Sequence, residues 1–86
     1  MAMFTLYIIV TYCGATRSIK RSFTRAIQVF ELRQIALQLM GKRARHKFQA
    51  FYLGKPIGHS MILPKGVPKK GKIHKRHIDT ISLRIR

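Results

Sequence analysis

Apolar and polar positions divide the chain into four stretches. In Phe4–Tyr12, Phe4, Leu6, Ile8 and Val10 alternate with Thr5, Tyr7, Ile9 and Thr11, and both sets are largely apolar. Alternation in a segment rich in Ile, Val, Thr and Tyr predicts a β-strand, here one covered on both faces. The stretch is too short to cross a bilayer as a helix, which takes about twenty residues. It also lacks the basic residues that precede the apolar part of a secretory leader. Cys13-Gly14-Ala15-Thr16 then breaks the strand. Cys13 is the only cysteine, so no intrachain disulfide forms, and its place after an apolar run predicts a small buried hydrophobe.

The second stretch has a helical period. Ser18 or Ser22 can satisfy the free amides of a first turn, and the pattern runs on to about Met40. Phe23, Ala26, Ile27, Phe30 and Leu37 fall on one stripe, widened by Val29, Ala36 and Met40. Leu32, Ile35 and Leu39 occupy the far side, so the second half is apolar nearly all round and is expected to touch more than one neighbour. Gly41 can end the helix in a left-handed conformation, with Lys42, Arg43 and Arg45 near its negative end.

Phe48–Leu53 predicts a short strand or a helical turn, and Ser60–Leu63 is a further apolar run. Pro64–Gly71 predicts a solvated basic loop without core-forming residues. Lys72–Arg86 interleaves Ile73, Ile78, Ile81, Leu83 and Ile85 with His, Arg and Ser, as an extended element with basic residues outward would. The expected fold class is α+β: a small single domain with an N-terminal strand, one long helix, short strands and basic loops. Residues 1–63 would form the core and 64–86 a basic extension.

Charge changes this picture from a fold to a partnership. Of the 86 residues, 18 are Lys or Arg and only two, Glu31 and Asp79, are acidic, giving a formal charge of +16. So much like charge on a small body repels itself unless a polyanion neutralises it. A solvated face normally mixes signs, and this chain does not. The cations cluster at Lys42-Arg43-Ala44-Arg45-His46-Lys47 and again between Lys65 and His77. These clusters predict a nucleic acid partner held through phosphates, with Lys42, Arg43, Arg45, Lys47, Lys65, Lys69, Lys70, Lys72, His74, Lys75 and Arg76 as the RNA contacts. Phe48, Phe51 and Tyr52 beside the first cluster are expected to pack in the core, with base stacking as the alternative.

Catalytic chemistry is short of parts. Glu31 and Asp79 lie far apart in the chain, and general acid–base work needs a tuned carboxylate or imidazole. Cys13 has no motif linking it to a histidine, and Gly54-Lys55-Pro56-Ile57-Gly58 lacks phosphate-loop spacing. His74 and His77 have Lys75 and Arg76 between them, which disfavours a dication. The chain is therefore expected to be non-enzymatic, with no cofactor, metal or small-molecule substrate.

Ile73-His74-Lys75-Arg76-His77-Ile78-Asp79 resembles the Ile-His-Lys-Arg-Leu-Ile-Asp signature of the small-subunit ribosomal protein S-ten family, differing where His77 replaces Leu. Ile62-Leu63-Pro64-Lys65 is similar to that family's apolar-Pro-Thr-Lys run, and the expected order of strand, helix, strand and basic loop agrees. In that family a longer loop separates the two motifs, and a further helix and strand follow the second. The resemblance implies a structural component of a ribosome that binds ribosomal RNA, with Lys69–Arg76 against RNA of the small-subunit head. Neighbouring ribosomal proteins would pack on Phe4–Tyr12 and Phe23–Met40. The acid-poor, Arg-rich chain also resembles mitochondrial targeting sequence, so a mitochondrial ribosome is expected, with a cytoplasmic one as the alternative. Two other classes remain: a membrane-associated subunit of an organellar complex, and a basic DNA-packing protein.

Overall fold

Two tight turns set the architecture. Strand β1 (Phe4–Tyr12) reverses through Cys13 and Gly14 into an antiparallel partner of equal length, β2 (Ala15–Phe23). The turn residues have φ of +48° and +81°. Positive φ at both centres is the mark of the hairpin turn whose twist matches that of its strands. Cys13 is consequently exposed at a turn, not buried as expected. Leu53 and Gly54, at φ +52° and +79°, make a second such turn between β4 (Phe48–Tyr52) and β5 (Lys55–Ile57). The computed structural model describes residues 2–41, 47–69 and 71–86.

The long helix expected from Ser18 or Ser22 to Met40 does not form. β2 pairs with β1 along its whole length, from Phe4 opposite Phe23 to Tyr12 opposite Ala15, so Ser18 and Ser22 sit within a strand. On this edge strand alternate backbone amides serve the ladder to β1, and none serves a helical turn. Ile19 and Phe23, which match a helical spacing, are instead partly buried on the core side of an edge strand. The chain continues as β3 (Ile27–Gln28), a 3₁₀ turn (Val29–Leu32) and one short helix, α1 (Arg33–Leu39). The turn starts where the Gln28 N–H donates to the Glu31 carboxylate at 2.6 Å, an acidic cap favoured at a helical N-terminus. It stops as expected at Gly41, φ +65°, whose N–H donates to the Gln38 carbonyl.

Two short strands, β3 and β6 (Ile62–Leu63), pair with each other. The main sheet has the order β2-β1-β7-β4-β5, where β7 is His77–Ile85. β7 runs parallel to β1 and antiparallel to β4. A parallel central pair is flanked by two hairpins, with a helical segment against one face, and the architecture alone assigns no function. The expected boundary at residue 63 does not divide core from extension, because the last strand lies in the middle of the sheet. Ile81, Leu83 and Ile85 of β7 are buried with Phe4, Leu6, Ile8 and Val10 of β1, and Val29, Leu32, Ala36 and Leu37 close over them. The basic loop also contributes to the core: Pro64 is buried and Val67 packs against the core, contrary to the expectation of a purely solvated segment.

Among the described residues, helical cover exists on one side of the sheet only. β1 therefore buries one face completely and leaves the other partly open, with Tyr7 43% exposed. The double covering expected from its apolar composition is absent. Most of the apolar surface expected to meet neighbouring proteins is consumed within the domain, although Phe30 remains 51% exposed.

One polar contact ties β4 to β7. The Tyr52 hydroxyl donates to Asp79 Oδ2 at 2.5 Å, and the Thr80 N–H donates to Asp79 Oδ1 at 2.9 Å. The hydrogen bond to Asp79 holds the Tyr52 phenol above its ordinary value of 10.0, reinforced by burial and by the nearby negative charge. A raised phenol contributes its stability below the unfolded-state value and loses it as pH climbs through the native value.

Two outcomes are expected. Deleting residues 77–86 removes the central strand and should abolish the cooperative unfolding transition and amide dispersion, whereas a folded 1–76 fragment would contradict the topology. Tyr52→Phe should cost about 1 kcal/mol at neutral pH. The cost should shrink above pH 10, as chemical denaturation across pH would show; equal cost at all pH values would deny the Asp79 contact its role.

Candidate nucleic-acid interface

The basic segment between β6 and β7 is anchored to the chain that leaves β2. Ala26 donates to the Gly71 carbonyl at 2.9 Å, Ile73 donates to the Thr24 carbonyl at 3.0 Å, and Arg25 bridges Lys72. These two main-chain hydrogen bonds, which make Arg25 and Lys72 opposite partners in a single antiparallel bridge, fix a Pro- and Gly-rich loop and set Arg25 beside Lys72. Two open grooves result. The larger, 720 Å³, is lined by Phe23, Arg25, Gln28, Phe30, Glu31 and Lys69. The smaller, 360 Å³, is lined by Ala2, Thr24, Arg25, Lys72 and Ile73. Arg25 belongs to both, and its guanidinium offers planar, multiple donors suited to phosphate oxygens.

The sequence-expected contacts do not converge on one patch. Lys69 shares the larger groove with Arg25, and Lys72 the smaller. Lys75 and Arg76 are exposed immediately before β7, as is His74. Lys65 leans over Tyr52, its ammonium 4.9 Å from the ring centre. Lys47 stands at the other end of β7, where its carbonyl accepts from the Arg86 N–H. There it lines a 310 Å³ groove with Phe30, Arg33, Phe48 and His59. Lys42, Arg43, Arg45 and Lys70 lie outside the described residues.

Of the three aromatic residues, Phe48 packs in the core as expected and stacks flat on His59, centroids 4.3 Å apart and planes 2° from parallel. Tyr52 is half-buried on the core side. Phe51 is not in the core: it lies half-buried on the outer face of the sheet, with the Arg84 guanidinium 5.7 Å from its ring centre.

Several cations escaped the sequence reading. Arg17, Lys20 and Arg21 are exposed on β2, Arg25 follows it, and Arg84 and Arg86 are exposed at the end of β7. Their signal was available in the Cys13-Gly14 turn, which makes residues 15–23 a hairpin strand and spreads its cations over an edge. Electrostatically, both acids serve internal contacts: Glu31 caps the 3₁₀ turn and Asp79 accepts from Tyr52 and Thr80. Glu31 also lines the Arg25–Lys69 groove.

Among the described residues no three His, Cys, Asp or Glu side chains gather where one metal ion could join them, and no helix is long and apolar enough to cross a membrane. No protein-family model matches the chain, and no curated protein matches it in sequence.

Proposed function

We propose that this protein is a non-enzymatic, RNA-binding component of a ribonucleoprotein particle, with the ribosome, and the mitochondrial ribosome in particular, as the assembly it serves. The observation that carries this reading is the distribution of charge: a formal +16, with both carboxylates committed to internal hydrogen bonds and cations around the rim of a small folded sheet. A polyanion of fixed spacing relieves that repulsion, and structured RNA presents phosphates on several sides at once. The basic stretch Lys69–Arg76, tied at Lys72 to Arg25, is the principal phosphate contact, and it overlaps Ile73–Asp79, the segment that resembles the small-subunit S-ten family. The strand–helix order that accompanied the resemblance is interrupted by β2, so the motif and the charge support this assignment and the order of elements does not.

Neutralising Arg25, Lys69 and Lys72 together as Gln should flatten the dependence of log affinity on log salt by about 3 for structured RNA, since each lost phosphate contact removes about one unit of slope. An unchanged slope would place the RNA elsewhere. A tagged copy of the chain should sediment with ribosomal particles in a sucrose gradient and be released by RNase. Retention on salt-washed membranes, or binding to duplex DNA with no ribosomal fraction, would replace this reading with one of the other two classes.

A further inference from the structure

Among the described residues no helix lies over the outer face of the five-stranded sheet, and strand register shows which side chains share it. On β1 these are Thr5, Tyr7, Ile9 and Thr11; on β2, Thr16, Ser18, Lys20 and Ser22. β7 contributes Ile78, Thr80, Ser82 and Arg84, and β4 contributes Gln49 and Phe51. Three properties set this face apart. It carries no carboxylate, because Asp79 points to the other side with Leu6 and Tyr52. It presents aromatic and aliphatic surface that the domain leaves uncovered, with Tyr7 43% and Ile78 63% exposed. Its polar groups are mainly hydroxyls, and two pairs of them sit close across strands: Thr5 with Ser22 at 3.3 Å and Thr11 with Thr16 at 3.4 Å.

Cations bracket the face. Lys75 and Arg76 precede β7 at one end, and Lys20 lies on the β2 side. Arg84 stands beside Phe51 at the other end, and Arg86 donates to Gln49 at 3.1 Å. Tyr7 and Phe51 lie two strands apart, with β7 between them, and are offset by two residues along it, Tyr7 opposite Thr80 and Phe51 opposite Ser82. Strand spacing and rise put the two anchors about 12 Å apart. Each ring would therefore take a separate base.

An acid-free, flat surface with spaced aromatic rings and cations at its ends suits a single nucleic acid strand, whose bases stack on rings while its phosphates reach the cations. We propose that this outer face binds a single-stranded RNA segment, with unpaired bases stacked on Tyr7 and Phe51 and backbone phosphates near Lys20 and Arg84. The inference rests on RNA being the partner, and it adds a second surface, read by stacking, to the phosphate-binding segment at Arg25. Charge complementarity selects this occupant over an apolar protein surface, which would offer Lys20, Lys75, Arg76 and Arg84 no counter-charge.

The test uses the full chain and two fluorescent RNAs, a 12-nucleotide oligouridine and a 12-base-pair duplex, with binding followed by anisotropy. Tyr7→Ala and Phe51→Ala should each weaken oligouridine binding about five- to hundredfold, while duplex binding stays within about twofold. Tyr7→Phe and Phe51→Tyr, which keep the ring, should restore single-strand affinity, and amide spectra should show every variant folded. Because stacking does not depend on counterion release, the loss should persist at high salt. The proposal is overturned if oligouridine affinity is unaffected by the alanine variants, or if the ring-keeping variants fail equally. Duplex binding without single-strand binding by the unmodified chain would remove this face and leave the phosphate-binding reading intact; absence of binding to either RNA would remove both. Capture of an acidic protein whose binding falls with Tyr7→Ala, with oligouridine binding unaltered, would reassign the face to a protein partner.

Discussion

Eighteen cations against two carboxylates constrain every level of this molecule. A domain of this size buries one thin core, and a Lys or Arg placed within it without a partner would be costly. The alternating strands meet the constraint by sorting residues by face. Phe4, Leu6, Ile8 and Val10 turn inward from β1, and Ile81, Leu83 and Ile85 turn inward from β7, while Arg84 and Arg86 between and beyond them point out. Both acids are used to hold geometry, Glu31 at the 3₁₀ turn and Asp79 between β4 and β7. The formal charge of +16 thus stays without a matching number of internal acids.

The parallel pairing of β1 with β7 closes the fold. It joins the two ends of the chain at the centre of the sheet, so the intervening hairpin, helix and basic loop are held from both sides. The loop that carries Lys69 and Lys72 is consequently a bounded segment, tied to residues 24–26 by main-chain hydrogen bonds, and not a free tail. Such anchoring lowers the ordering cost that a flexible basic extension would incur on binding. Among the described residues the same topology leaves one sheet face open, with α1 and its preceding turn covering the other.

Strands with a clean apolar pattern were legible in the sequence: Phe4–Tyr12, the Phe48–Leu53 run and the alternation after His77 all mark real β-structure. The helix was misplaced for a physical reason. Residues 15–23 form an edge strand whose core side sets Arg17 and Arg21 between Ala15, Ile19 and Phe23, so they lack the two-residue apolar alternation that marks a half-buried strand. Ile19, Phe23, Ile27 and Phe30 meanwhile fall at helical intervals by coincidence of a strand running into a turn. Only the Cys13-Gly14 dipeptide spoke for a hairpin, and its meaning depends on pairing with β1. The basic clusters were visible as composition, but the meeting of Arg25 with Lys72 comes from a non-local bridge that spacing along the chain does not encode. The outer-face grouping of Tyr7 with Phe51 has the same origin, because it requires the insertion of β7 between β1 and β4.

On the proposed reading, the sheet of this domain is completed electrostatically by RNA. A ligand that binds only the native state raises its stability by mass action, and a polyanion adds relief of self-repulsion. The most direct measurement is thermal unfolding of the purified chain at low ionic strength while structured RNA is titrated in, with sodium chloride of matched ionic strength as the control. The account predicts a midpoint that rises with RNA and saturates near stoichiometric ratio, well beyond the shift from salt alone. A midpoint that RNA leaves unchanged, in a chain already folded and monodisperse without it, would contradict the account.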